Sequence, residues 1–162
     1  EPNVPSIDQV IEDFKFLSDK VGKNAIALRY TPIIINEKYT LQRHIDTFEY
    51  ITSKLEGYTS LAVFGFVDIY DKLKRNHPEI IDCDDSLKII IAKEFLKIAN
   101  KHHMELRLCS KEKWLSSYGI DVNGCMRLED YERAIGFSLK PTKKMEARKG
   151  YCSCYLSNDI GS

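Results

Sequence analysis

The run from Leu61 to Val67, seven residues without a charged or hydrogen-bonding side chain once Gly65 is included, constrains this chain more than any other segment. An apolar stretch of that length, rich in Val and Phe and bounded by polar residues, suits a strand buried on both faces, as in a parallel sheet. It is far short of the roughly 20 apolar residues that a membrane-crossing helix needs. A helical pattern precedes it. Thr40 is placed as an N-cap, Leu41, Ile45, Phe48, Ile51 and Leu55 share one face, and Gly57 closes the helix. Upstream the same cycle occurs. Ser6 with Gln9 fits a capping box, Ile7, Val10, Ile11, Phe14 and Leu17 recur at helical spacing, and Gly22 is the stop. Ile26 to Tyr30 then reads as a strand ending at Thr31-Pro32, since proline brings no backbone donor to a ladder.

Downstream, a loop carrying His77, Pro78, Asp82, Asp84 and Asp85 leads into a third helix, with Leu87, Ile91, Phe95 and Ile98 on one face. Its acidic start and its basic end at Lys97 and Lys101 complement the helix dipole. Met104 to Cys109 is the third strand, and Ser110 to Tyr118 a short helix stopped by Gly119. Strands alternating with helices predict right-handed crossovers in a parallel sheet. The expected fold is therefore α/β: a partial (β/α) barrel-like sheet over residues 1–119, since three strands are too few to close a barrel, and a loop-rich, cysteine-containing extension over 120–162. That extension holds a short helical candidate around Leu128 to Ile135 and a basic stretch from Lys140 to Lys149. The absence of Gly-x-Gly-x-x-Gly and of a P-loop motif removes the strongest reasons to expect a nucleotide site.

Charge narrows the partners. Lys and Arg total 24 against 24 Asp and Glu, a net charge of zero, which excludes an electrostatically driven nucleic-acid binder. The 43% hydrophobic content is that of a water-soluble protein with one sizeable core. Five cysteines cannot all pair within the chain and are sparse for a disulfide scaffold, so a reducing cytoplasm is the expected compartment. Glu1-Pro2-Asn3-Val4-Pro5 has neither an initiator methionine nor a signal-peptide pattern, and the sequence stops abruptly at Ser162, so it reads as a piece of a longer protein.

In parallel α/β architectures the ligand site lies at the C-terminal ends of the strands, which nominates Arg29, Asp68 and Cys109 for a small-molecule substrate. Arg29 is suited to clamping a carboxylate or phosphate, and Asp68 to acting as a base or holding a polar group. The plainer alternatives are an Arg29 to Asp68 ion pair and a Cys109 that merely fills core. None of the four histidines falls in a metal-ligand pattern; His102 and His103 lie at a helix end, where the dipole accounts for them. Phe14, Phe48, Phe64, Phe66 and Phe95 are placed as core. Cys125, Cys152 and Cys154 are the metal-ligand candidates: they lie in the loop-rich third, where packing explains a cysteine least. Cys152 and Cys154 form a C-x-C, too close to bridge easily to each other.

Several stretches together resemble one family: Glu1-Pro2-Asn3-Val4-Pro5, Arg29-Tyr30-Thr31-Pro32-Ile33, Gly57-Tyr58-Thr59, Phe66-Val67-Asp68-Ile69-Tyr70, Gly119-Ile120, and Cys152-Ser153-Cys154 with Asp159-Ile160-Gly161. It is a bacterial and archaeal family catalogued only as a domain of unknown function, whose members end in a cysteine cluster similar to the iron-sulfur motif of radical S-adenosylmethionine enzymes. The resemblance implies further strand-helix units upstream, a cluster-binding cysteine run just beyond Ser162, and hence an iron-sulfur cluster and S-adenosylmethionine as cofactors of the whole enzyme. It aligns Cys125, Cys152 and Cys154 with cysteines upstream of that run, for which a second cluster or a metal site is the expectation. Two departures stand out: Thr31 replaces an aspartate beside Arg29, and Gly65 stands where members tend to have serine. The alternative to an enzyme is a non-catalytic α/β domain in which Cys125, Cys152 and Cys154 hold a structural zinc with a fourth ligand from elsewhere.

Overall fold

A computed structural model of the chain describes residues 4–80 and 83–140. Its elements follow from local chemistry. The Ser6 hydroxyl accepts the Gln9 amide at 3.2 Å to open α1 (Ile7–Val21), and Gly22 closes that helix at φ +87°. Thr40 accepts the Arg43 amide at 3.3 Å at the head of α2 (Leu41–Leu55). After the short α3 (Asp71–Asn76), the Asp84 carboxylate accepts the Leu87 amide at 2.8 Å to start α4 (Asp85–Lys101). A 3-10 turn over Lys113–Tyr118 and α5 (Leu128–Ile135) complete the helices among the described residues.

Three strands, β1 (Leu28–Ile33), β2 (Leu61–Phe66) and β3 (Glu105–Leu108), form a parallel sheet in the order β1-β2-β3. The sheet is open, so its form is that of an α/β layer rather than a closed barrel. Every residue of the central strand β2 is buried, as its uninterrupted apolar run requires. On one face Ala62, Phe64 and Phe66 pack with Leu28, Leu106 and Leu108 against α1, α2 and α4. Phe48 and Phe95 stack there with ring centres 4.0 Å apart, and Tyr30 meets both edge-on at 5.5 and 5.4 Å. On the other face Leu61 and Val63 form a second cluster with Ala27, Cys109, Cys125 and Met126.

Three expectations shift. The first strand does not stop at Thr31-Pro32: β1 continues to Ile33, with an irregular register between Tyr30 and Ile33. β1 pairs only with β2 in this sheet, and an edge strand tolerates a residue without a donor. The loop around His77 is preceded by α3, a single exposed turn and a half with no buried residue and no side-chain cap, which left no periodic signal to read. The helix expected over Ser110–Tyr118 is shorter and of the tighter 3-10 form, although Gly119 does end it, at φ +82°.

Beyond the N-terminal ends of the strands, His102 caps α4 between two carboxylates, with Nδ1 3.0 Å from Glu56 Oε2 and Nε2 3.1 Å from Glu49 Oε1. Both ring nitrogens therefore donate. Burial pushes the imidazole pKa down, but the two carboxylates outweigh it and the net shift is upward. Because the folded value exceeds the unfolded one, this stabilisation is complete below the ordinary histidine pKa, near 6.5, and is lost as pH rises through the raised value. Urea midpoints measured from pH 6 to 9 should fall with pH, and His102→Gln should flatten that part of the profile; an unchanged slope in the variant would refute the assignment.

Candidate thiol and substrate site

The parallel register sets Arg29, Val63 and Arg107 side by side across β1, β2 and β3 on the face away from α2 and α4. The segment that follows Gly119 runs along the outer edge of β3. Leu108 donates its amide to the Asp121 carbonyl at 2.8 Å, Arg107 and Asp121 form a parallel bridge, and Ile120 is buried. Arg107, with only 1% of its surface exposed, fixes α5 to the sheet. Its guanidinium donates to Glu105 at 2.7 and 2.9 Å and to both oxygens of Asp130. Burial alone would lower the Arg107 pKa, but the bonds to Asp130 and Glu105 prevail and raise it. Asp130 also accepts the Arg127 amide at 2.8 Å at the head of α5, and Arg127 pairs with Asp121. Sequence reasoning missed this clamp. The available signal was an arginine inside Leu106-Arg107-Leu108, a strand position that demands a carboxylate partner once both faces are covered.

The clamp holds Cys125 over the sheet face, packed against Leu61 and Val63 of β2. Cys125 Sγ lies 3.2 Å from Cys109 Sγ, just past the end of β3. The Arg29 guanidinium spans the pair, Nη1 3.6 Å from Cys125 Sγ and Nη2 3.5 Å from Cys109 Sγ. Burial pushes the guanidinium pKa down, and the two sulfurs outweigh that effect. Of the residues nominated from sequence, Arg29, Cys109 and Cys125 thus come together. Asp68 does not join them: it is exposed after β2 and pairs with Lys111 at 2.9 Å, rather than with Arg29. Cys152 and Cys154 lie outside the described residues.

Gly65 makes the approach of Cys109 feasible. A Cβ at Gly65 would sit 2.5 Å from the Cys109 carbonyl oxygen and 3.1 Å from Thr31 Oγ1. The first of these neighbours is backbone, held by the Cys109 amide donating to the Phe64 carbonyl at 2.7 Å. Gly65→Ala should therefore cost about 1–3 kcal/mol as an overpacking change. It should also shift the Cys109 and Cys125 Cβ resonances relative to those of Cys83. A variant as stable as the parent, with those resonances unmoved, would show that the strand ends have room.

Arg29 also borders a cleft of about 860 Å³ along the free edge of β1, lined by Tyr30, His44 and Arg43 among others. His44 Nε2 faces the Ile34 carbonyl at 2.8 Å and must donate to it, so Nδ1 accepts the Tyr30 hydroxyl at 2.9 Å. Burial pushes the Tyr30 phenol up to about 12, so it remains a donor at neutral pH. Neither Asp68 nor Cys109 lines this cleft. On the far side of the sheet mouth, Lys88 meets the buried Glu112 at 2.9 Å. Burial would raise that carboxyl, but the polar groups around it, with the Lys88 ammonium bonded to it, hold it below the usual range. Among the described residues no helix is long and apolar enough to cross a membrane.

A family model described as a domain of unknown function, DUF1848, matches residues 1–162. No curated protein and no solved structure matches the chain.

Proposed function

The chain belongs to the DUF1848 family, and from that premise we propose that it is the strand-helix domain of an iron-sulfur, radical S-adenosylmethionine-like enzyme acting on a small molecule, with a thiolate metal site of its own. The observation that carries the metal site is the convergence of Cys109 and Cys125, 16 residues apart in sequence, to a sulfur separation of 3.2 Å under one guanidinium. Two thiols on the sheet face, beside a cation, offer two of the donors a thiophilic metal needs; among the described residues no third His, Cys, Asp or Glu completes a metal group. The trio of Cys125, Cys152 and Cys154 read from the sequence leaves one tetrahedral position open, and Cys109 beside Cys125 is the residue suited to fill it. The radical chemistry rests on the family resemblance: the cluster that would supply one-electron chemistry to S-adenosylmethionine is assigned to the cysteine run beyond this sequence. The partial-barrel reading rests on it too; the sheet is open, and no described strand pairs with the outer edge of β1. Substrate is assigned to the sheet mouth and the adjoining cleft, where Arg29 and Arg43 offer two cations to an anionic group.

A structural-zinc reading is the second one. It is favoured by the burial of Cys125 against Leu61 and Val63, which makes a metal there a tie between the extension and the sheet. The chain purified without oxygen should retain bound metal by elemental analysis, and Cys125→Ser should lose it. Iron with acid-labile sulfide would favour the enzyme reading, and oxygen-stable zinc the structural one. Metal-free protein that takes up neither ion on reconstitution would end both.

A further inference from the structure

We propose that Cys109 and Cys125 are a reactive dithiol that closes to an intramolecular disulfide, with Cys109 the thiol that meets a hydroperoxide and Cys125 the thiol that resolves it. The bridge needs only the two sulfurs that already touch, so it goes beyond the metal reading above and stands without an ion.

Distance and position carry the argument. A disulfide bond is about 2.05 Å long, so sulfurs 3.2 Å apart have about 1.2 Å to close. That movement falls to Cys125. The Cys109 backbone is held by its amide bond to Phe64 and by its close approach to Gly65, whereas Cys125 sits in the irregular connection before α5, directly after Gly124 at φ +106°. Access separates the two roles. Cys125 is 7% exposed and packed against β2, while Cys109 is half-buried and its contact with Arg29 lies at the surface. A hydroperoxide is small enough to reach a half-buried sulfur, and it would meet Cys109 first.

Arg29 makes the pair more than two packed thiols. It donates one N–H toward each sulfur, at 3.5 Å to Cys109 and 3.6 Å to Cys125. An apolar thiol gains little from a guanidinium, whereas a thiolate, the nucleophilic form, is stabilised by one. Arg29 is thus a positioning residue for the pair.

The chemistry balances with one hydroperoxide. The Cys109 thiolate attacks an oxygen of the hydroperoxide, the O–O bond breaks, and two electrons pass from sulfur to oxygen. Cys109 becomes a sulfenic acid, and the leaving alkoxide or hydroxide takes up the proton that the thiol gave away. The Cys125 sulfur then attacks the sulfenic sulfur, the S–S bond forms, the S–O bond breaks, and the departing hydroxide leaves with the Cys125 proton as water. Two thiols and one hydroperoxide give one disulfide, one water and one alcohol, or a second water from hydrogen peroxide.

Hydrogen peroxide is the probe, added to the reduced chain in the presence of a chelator. One equivalent should remove two of the five thiols, lower the mass by about 2 Da and join the peptides of Cys109 and Cys125 in a non-reducing digest, and dithiothreitol should reverse all three changes. Cys125→Ser should stop at a Cys109 sulfenic acid that dimedone traps. Cys109→Ser should form no such bridge and react with peroxide at least about tenfold more slowly. Cys83→Ser, in the core cluster on the opposite face, should close the bridge at the parent rate. Urea midpoints of the reduced variants separate lost reactivity from lost folding. Arg29→Ala should slow closure by about tenfold at pH 7 and displace the rate profile to higher pH, with Arg29→Lys recovering part of the rate, a shift that a merely structural arginine would not produce. A bridge from either thiol to Cys83, Cys152 or Cys154, or a Cys109 and Cys125 that both remain open to alkylation after peroxide, would overturn the proposal. Metal uptake by the reduced chain is scored separately: ion binding without the bridge ends this proposal and leaves the metal reading, and the bridge without ion binding does the reverse.

Discussion

Arg107→Met should lower the free energy of unfolding by about 3–5 kcal/mol, the range found when one partner of a buried ion pair is deleted. The guanidinium is 1% exposed and serves two carboxylates from opposite directions, Glu105 on its own strand and Asp130 on α5. Removing it leaves Asp130, whose side chain is 18% exposed, facing an apolar methionine with its proton already lost. Burial would raise the Asp130 pKa, but the bond from Arg107 overrides it and holds the group below the ordinary carboxylate range. The variant should therefore show a stability profile that improves as pH drops toward 4, because protonating Asp130 then relieves the unpaired charge. Adding Asp130→Asn in the Arg107→Met background should recover part of the loss at neutral pH. The measurement is urea unfolding at several pH values. A loss under about 1 kcal/mol would mean that the pair is solvated in solution and contributes no more than a surface salt bridge.

Phe95→Ala should be comparably severe, about 3–5 kcal/mol, through a different physical route. Phe95 is fully buried, stacked on Phe48 at 4.0 Å and met edge-on by Tyr30 and Phe64. It belongs to α4 and is the point where that helix, α2 and the sheet share one packed layer. Deleting the ring removes its transfer free energy and leaves a cavity walled by rigid aromatic groups with little ability to collapse. The loss should appear as a lower urea midpoint at unchanged slope, and Phe95→Leu, which refills much of the volume, should cost markedly less. Because this face is remote from the thiols, disulfide closure in folded Phe95→Ala should keep the parent rate. A changed rate would mean that the two faces of the sheet do not pack independently.

The contrast between these residues explains what could be read before any coordinates. Phe95 was legible as core because helical periodicity is a local property: it recurs with Leu87, Ile91 and Ile98 on one face. The caps at Ser6 and Thr40 and the two-faced burial of Leu61 to Phe66 were legible for the same reason. Arg107 and Asp130 stand 23 residues apart with no periodicity linking them, and only the path of the chain over the sheet makes them neighbours. The same holds for the thiols. Cys125 and Cys109 were each nominated, one for metal and one for substrate, but nothing in their spacing said that they meet. Arg29 was nominated for a carboxylate or phosphate; that its guanidinium also lies against two sulfurs could not be read from the spacing. Asp68 sits at a strand end as expected, yet its partner is Lys111 on the neighbouring connection.

The bridge between Arg107 and Asp121 has a bearing on how this architecture can be extended. An edge of a parallel sheet is a row of unmet amides and carbonyls, and the row on β3 is partly consumed by the segment after Gly119, with Leu108 already committed to Asp121. Among the described residues, the row on β1 beyond its pairing with β2 is the one that no strand occupies. The two edges are therefore closed in different ways: the β3 edge is bonded to the Asp121 segment, and the β1 edge carries Pro32, which brings no donor to a further strand.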